Sequence, residues 1–488
     1  MESEHLDVLV VGAGLSGVGA ACRLILERPG TTFAVLESRH AIGGTWDLFR
    51  YPGVRSDSDM YTLGYPFHPW LEGRALADGP SIRDYIEETA RAFGVTSRVR
   101  LHHRVVGADW STADARWTVE VEHTGTGEHL TLTCGFLFSC TGYYRYDHGH
   151  EPQIAGRADF LGTVVHPQRW PADLDLTGQR VVVVGSGATA VTLVPAIAGT
   201  ASHVVMLQRS ATYVVALPSR DAVADLVRRV LPPDAAYRVV RRKNIATSAL
   251  SYQLSRRWPA TMKKVFVRAV RAALPEGYDV ERHFTPTYDP WDERLCVVPD
   301  GDLFAAISSG RASVVTDRIV RFTPGGLLLE SGGELDADVV VTATGLELLL
   351  VGGMALRVDG LLVDAPRTVA YKGMMLTGVP NFAFALGYTN ASWTLKCDLV
   401  SRYVCRLLDH LETEHFAVVT PVPPPDDERL PLLDLSAGYV RRALPTLPTQ
   451  GTRAPWRLHQ SYRKDLRMLT RGPVADEGVI FTRAPAHQ

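Results

Sequence analysis

Asp7-Val8-Leu9-Val10-Val11-Gly12-Ala13-Gly14-Leu15-Ser16-Gly17 is the stretch that decides the fold. A β-branched run enters a GxGxxG turn, and the helix-like Val18 to Glu27 follows. Strand, glycine turn and helix in that order let backbone amides approach a pyrophosphate at a helix N-terminus, whose partial positive charge favours anions. A second strand, Thr32 to Leu36, ends at Glu37, 25 residues beyond Gly12, where a carboxylate accepts hydrogen bonds from ribose hydroxyls. Gly12, Gly14, Ser16, Gly17 and Glu37 are therefore candidates for a first dinucleotide site. A glycine turn without a ligand would explain the turn but not the acid at that distance.

The pattern recurs. Arg180 to Val184 is a strand that enters Gly185-Ser186-Gly187-Ala188-Thr189-Ala190 and another helix-like segment. After the next strand, His203 to Leu207, the chain reads Gln208-Arg209-Ser210 where a ribose-binding acid would otherwise stand. An arginine there suits a 2′-phosphate that an acid would repel, so Arg209 with Ser210 points to NADPH. The alternative for Arg209 is a solvated cation at a strand end. Two more buried-type strands end in small-residue turns: Phe136 to Ser139 before Cys140-Thr141-Gly142, and Asp338 to Thr342 before Ala343-Thr344-Gly345. The first reads as the exit from the first unit and the second as a return to it. The expected class is α/β with two Rossmann-like dinucleotide-binding domains. The NADPH domain (145–335, with a basic helical excursion at about 220–285) is inserted into a discontinuous FAD domain made of 1–144 and 336–488.

A length of 488 residues corresponds to about three units at roughly 150 residues each. The 46% apolar and 21% charged fractions exclude disorder and fibre. Lys and Arg number 51 against 53 Asp and Glu, so the net charge of −2 is not that of a polyanion binder. Locally, Arg228 to Arg271 carries twelve Lys/Arg and a single acid, Asp234. That segment reads as a solvated helical face, with peripheral contact to an anionic membrane or steering of NADPH as alternatives; without aromatic interleaving or a fold signature it gives no support to nucleic acid. Six scattered cysteines without CxxC or metal-ligand spacing argue against a metal, a disulfide scaffold or dithiol chemistry, and suggest a reducing, cytoplasmic setting. The acidic Met1-Glu2-Ser3-Glu4 start does not read as a secretion signal. Gly373 to Leu395 is 23 residues without charge, but Pro380, Asn381 and Asn390 favour buried strand and loop over a transmembrane span.

Two nucleotide units without a redox-active cysteine pair describe a flavoprotein that takes hydride from NADPH and passes electrons elsewhere, with O2 the obvious acceptor. Phe160-Leu161-Gly162-Thr163-Val164-Val165-His166-Pro167-Gln168-Arg169-Trp170-Pro171 meets FxGxxxHxxxW[P/D] at Phe160, Gly162, His166, Trp170 and Pro171. It resembles the fingerprint of type I Baeyer–Villiger monooxygenases; related flavin-containing monooxygenases usually carry Tyr or Phe where Trp170 stands. A second pattern of that family, [A/G]GxWxxxx[F/Y]P[G/M]xxxD, is met by Gly43-Gly44-Thr45-Trp46, Tyr51-Pro52-Gly53 and Asp57. The wording of 50–65 and 387–396 resembles the shorter, ethionamide-monooxygenase-type subgroup.

The resemblance implies FAD in the first domain and NADPH in the second, with O2 forming a C4a-peroxyflavin that attacks a ketone and gives an ester or lactone. It implies Arg294, within Tyr288-Asp289-Pro290-Trp291-Asp292-Glu293-Arg294-Leu295, as the active-site arginine, and Asp57 as the acid that orients it. Gly44, Thr45, Trp46, Arg55 and Val105 would lie by the flavin. The plainer alternatives are a surface ion pair of Arg294 with Glu293 or Asp292, and a capping role for Asp57. His166 is expected to tie the two domains together rather than transfer protons. Longer relatives carry Lys immediately before the arginine, where Glu293 stands, which leaves Arg209 as the main 2′-phosphate contact. Oxygenation of S or N, in a sulfide or thioamide substrate, is the rival reading, and an NADPH-dependent flavoprotein reductase is the second.

Overall fold

The computed structural model describes residues 4–425 and 428–483; the acidic start at 1–3 lies outside them. The strand His5–Val11 is central to the first sheet, parallel to Phe33–Leu36 on one side and to the end of His129–Ser139 on the other. Side chains alternate across a strand. Val8 and Val10 therefore enter the core beneath helices Leu15–Glu27 and Trp393–Thr413, while Leu9 and Val11 enter the core on the opposite face. Burial on both faces is why the strand is continuously apolar from Val8 to Val11 rather than alternating. The sheet continues through the antiparallel strands Arg116–His123 and His103–Ser111, then Ala355–Val358 and Leu361–Leu362, while Phe382–Phe384 pairs with 137–139. It is thus built from two separated parts of the chain.

Between those parts lies a five-stranded parallel sheet in the order Ala312–Thr316, His203–Gln208, Arg180–Val184, Val339–Thr342, Thr163–Val165. The strand at 339–342 corrects one expectation: it does not return the chain to the first sheet. Val340 pairs with Val182 on one side and Val164 on the other, so the second sheet extends past residue 336. A Val-Val-Val-Thr run fits any strand buried on both faces; the return is made by Ala355–Val358, parallel to His103–Ser111.

The basic excursion is helical, built mainly on Pro233–Arg257 and Pro259–Ala273 with the short helices Ala222–Arg228 and Val280–Phe284 on either side. It is not a wholly solvated face. Arg241 is buried and donates to the carbonyls of Tyr61 (2.6 Å) and Gly64 (2.8 Å), and Arg228, at the end of the preceding helix Ala222–Arg228, donates to the Glu72 carbonyl (2.7 Å), which pins the excursion to the first unit. The uncharged 373–395 segment is short strand and loop that enters the helix at Trp393. Among the described residues no helix is long and apolar enough to cross a membrane.

Candidate active site

A cavity of about 690 Å³ is lined by the first glycine turn and by Ala188 and Thr189 at the start of the helix after the second. At the first turn, a Cβ on Gly17 would stand 1.7 Å from the Gly12 carbonyl oxygen, so the helix seats against the turn only with glycine there. Gly14 precedes that helix and offers no side-chain cap, leaving its first amides open to a ligand. Gly12, Gly14, Ser16 and Glu37 line the cavity. Glu37 is held in place by the amides of Ala13 (2.8 Å) and Arg39 (2.9 Å). Gly44, Thr45, Trp46, Arg55, Asp57 and Val105 share the same wall. Arg55 is occupied by an ion pair with Asp302.

At the second turn, Gly185 has φ +139° and a Cβ there would lie 2.3 Å from the Ala343 carbonyl oxygen. The chain could not pass that strand end with a larger residue. Gly187 leaves the helix Ala188–Ile197 without a side-chain cap. Ala188 and Thr189 reach the cavity, whereas Ala190 is buried beneath them and Arg209 and Ser210 are exposed at the end of strand His203–Gln208, outside its lining. The first turn and the start of the helix after the second therefore face one shared space.

Arg294 lines this space. Its Nη2 donates to the Tyr143 hydroxyl at 3.3 Å, and its Nε is buried with no hydrogen-bond partner. The expected alternative, a surface ion pair with Glu293 or Asp292, does not form: Asp292 pairs with Arg256 at 2.6 Å, and the cations that act on Glu293 are Arg441 and Arg209. Its charge is reinforced by the electron-rich groups around it, first Tyr143, then Tyr439, Tyr144 and Asp57, against the cost of burial. The Asp57 carboxyl is pushed up to about 6 by burial, with Arg294 and then Arg55 pulling it down. Capping falls instead to Asp59, whose carboxylate accepts the Thr62 amide at the start of helix Met60–Leu63. Asp57 is thereby left to face the cavity.

The fingerprint residues are structural. A Cβ on Gly162 would meet the Asp338 carbonyl oxygen at 2.3 Å, and Phe160 packs on Phe322 with ring centroids 5.5 Å apart. His166 Nδ1 accepts the Gln168 amide, and the Gln168 side chain donates to the carbonyls of Arg145 and Tyr146 in the connection between the units. Burial lowers the His166 pKa, which keeps the ring neutral. Trp170 packs against the second unit's core and Pro171 is exposed.

Sequence reasoning missed an aromatic wall. Tyr143 stacks on Trp393 (4.8 Å, 19°), and the Trp393 indole donates to Ser16 Oγ at 2.8 Å, connecting the first turn to Arg294. Tyr143 follows Cys140-Thr141-Gly142 directly, so the exit turn was its signal. The residues after 400 also acquire a role. Asp465 accepts from Tyr388, which lines the cavity, at 2.7 Å and from the buried Lys396 at 2.9 Å. All six cysteines are free and buried, and no His, Cys, Asp and Glu cluster fit for a metal occurs among the described residues.

A family profile described as flavin-binding monooxygenase-like matches residues 6–349. The chain belongs to that family. As a monooxygenase-like chain it is 54% identical over 486 residues to FAD-containing monooxygenase EthA of Mycobacterium tuberculosis, with 99% of each covered. It is 45% identical over 484 residues to a probable FAD-binding monooxygenase, AlmA, of Acinetobacter baylyi, covering 98% of this chain and 96% of the other. Its fold matches an oxidized steroid monooxygenase bound to NADP with a TM-score of 0.77 at 22% identity, over 98% of this chain and 100% of that one. It also matches OTEMO in complex with FAD and NADP with a TM-score of 0.74 at 21% identity, over 99% and 100%.

Proposed function

We propose that this chain is a Baeyer–Villiger monooxygenase that uses FAD, NADPH and O2 to insert one oxygen atom beside a ketone carbonyl, giving an ester or lactone. The observation that carries the reading is Arg294: a charged guanidinium with an unpartnered, buried Nε on the wall of a cavity that is also lined by the first glycine turn and by Ala188 and Thr189 after the second. FAD would be held by the Gly12–Gly17 turn, Glu37 and the Gly44–Trp46 segment, and when bound it supplies the two-electron activation of O2. NADPH would sit at the Gly185–Ala190 turn with Arg209 and Ser210 at its 2′-phosphate.

The fit of this cavity to a dinucleotide rests on the turn whose Gly17 leaves no room for a Cβ and on the uncapped helix behind it. Arg294 stabilises an anionic oxygen without surrendering its proton, because a guanidinium stays charged at any working pH. Asp57 faces the same space and steadies that cation electrostatically. The Tyr143–Trp393 stack and Tyr144 keep water from the oxygen that Arg294 contacts.

Oxygenation of a sulfide or thioamide is the second reading, favoured by one feature. That reaction needs a hydrogen-bond donor at the reacting oxygen, and the Tyr143 hydroxyl stands beside Arg294 on the cavity wall, 3.3 Å from its Nη2. The test supplies FAD-loaded enzyme, NADPH and ¹⁸O2 with a ketone and, separately, a thioether. One ¹⁸O in an ester supports the proposal. Sulfoxide with no ester replaces it by the second reading, and hydrogen peroxide alone replaces both by a reductase.

A further inference from the structure

The basic excursion has two unlike faces. Its inner face is settled: Arg241 lies on the carbonyls of Tyr61 and Gly64, Asn244 donates to the Asp59 carboxylate at 2.8 Å, and Lys243 pairs with Asp221. The last contact joins helix Pro233–Arg257 to the start of helix Ala222–Arg228 and lays the two side by side. Ala224 and Val227 are the members of the short helix that pack on the core. A helix packed on one face is ordinarily polar on the other, and this one is not. Val223 and Leu226, with Val230 on the turn that continues the helix onto the Val227 carbonyl, stand at i, i+3 and i+7 and are 46%, 62% and 73% exposed. Leu71, also exposed, stands next to Glu72, whose carbonyl accepts from Arg228 at the end of the same helix.

Cations flank this apolar row. Arg238 and Arg242, one turn apart on the neighbouring helix, and Arg229 between the two helices are exposed, as are Arg257, Lys264 and Arg268 farther along the excursion. None of the six forms an ion pair among the described residues; the ion pairs of the excursion go to Lys243, Arg256 and Arg271. Asp225, Asp234 and Glu72 are the acids closest to the row in the chain or through Arg228, and Asp234 is the single acid against twelve Lys/Arg from Arg228 to Arg271, so the excess is positive. Scattered exposed aliphatics are ordinary, but a row of them rimmed by charge marks a contact with a protein or a membrane. A second copy docked through this face would set arginine against arginine. An anionic lipid surface takes both elements at once, the aliphatic row at the acyl boundary and the guanidinium groups on phosphate.

We propose that this outer face docks on a bilayer of anionic phospholipid, with Val223, Leu226 and Val230 entering the boundary between headgroups and acyl chains and Arg229, Arg238 and Arg242 on the lipid phosphates. The contact is peripheral, and it is independent of the chemistry at Arg294.

The test floats the FAD-loaded enzyme with vesicles of phosphatidylcholine alone and of phosphatidylcholine and phosphatidylglycerol in equal parts. Binding to the mixed vesicles should exceed binding to phosphatidylcholine by at least about tenfold and weaken with added salt. Leu226→Glu with Val230→Glu should weaken it by more than about a hundredfold, since burying each side chain contributes roughly tenfold or more. Arg238→Gln with Arg242→Gln should weaken it about 25-fold, roughly fivefold for each charge. All four positions lie outside the cavity lining, so flavin content and reduction by NADPH should match the wild type in both variants. No binding to the mixed vesicles, equal binding to both kinds, or binding that survives both pairs of substitutions overturns the proposal. If vesicles are not bound and light scattering shows that Leu226→Glu with Val230→Glu dissociates an oligomer, the face belongs to a second copy of the chain and the lipid proposal falls.

Discussion

Asp57→Asn replaces a buried carboxylate by a neutral group of the same shape, and the structure fixes how its effect depends on pH. The folded protein holds the Asp57 carboxyl at about 6 against an ordinary 3.8. Because the folded value is the higher one, the folded state keeps a proton that the unfolded chain has already released. Wild-type stability contributed by this group therefore falls as pH rises from 3.8 through about 6, and is flat above that. Roughly two pH units at 1.36 kcal/mol each place the full cost near 3 kcal/mol at pH 8, with about 1.5 kcal/mol already incurred at pH 5. The variant never ionises there and escapes this cost. Urea unfolding of both proteins at pH 5, 6.5 and 8 should show the stability difference in favour of Asp57→Asn growing by about 1.4 kcal/mol from pH 5 to pH 8. A difference independent of pH would refute the burial argument. That result would mean that Arg294 and Arg55 outweigh burial and keep the carboxylate ionised across the whole range.

Arg209→Ala should raise KM for NADPH about tenfold to a hundredfold, the worth of a charged hydrogen bond to phosphate, and leave KM for NADH unchanged in steady-state assays. Gly162→Ala should lower stability by about 1–3 kcal/mol by thermal denaturation, because its Cβ would overlap the Asp338 carbonyl, while reduction by NADPH in the surviving protein is unaltered. Asp465→Ala should cost about 3–5 kcal/mol in urea melts by stranding the buried Lys396. It should also loosen retained flavin, since Tyr388 loses its anchor on the cavity wall.

Local signals carried the two nucleotide turns, because strand, glycine spacing and helix lie within one continuous segment each. Arg294 entered the cavity with the expected neighbour Asp57, even though residue 57 and residue 294 lie in different units. What remained hidden depended on partners distant in the chain. Whether Val339–Thr342 closes the second sheet or returns to the first is decided by the strands beside it, and a run of valines is compatible with both. Of the acids in Ser56-Asp57-Ser58-Asp59, the one that caps is chosen by where helix Met60–Leu63 begins, a boundary the capping pattern leaves free by two residues. The Tyr143–Trp393 stack joins positions 250 residues apart, and the Lys396–Asp465 pair draws in a C-terminal segment without any functional pattern of its own. Arg241 looked like one more solvated cation until its guanidinium met the carbonyls of Tyr61 and Gly64.

The central claim is that Arg294 makes this cavity an oxygenation site rather than a place where reduced flavin merely loses electrons. Anaerobic stopped-flow reduction of the yellow protein by NADPH, followed by mixing with O2, tests it directly in wild type and Arg294→Ala. The account predicts equal reduction in both proteins. After oxygen is added, oxidised-flavin absorbance should return in the wild type only after a lag that a ketone shortens, and at once in Arg294→Ala with one hydrogen peroxide per flavin. Immediate reoxidation with peroxide release in both proteins would contradict it.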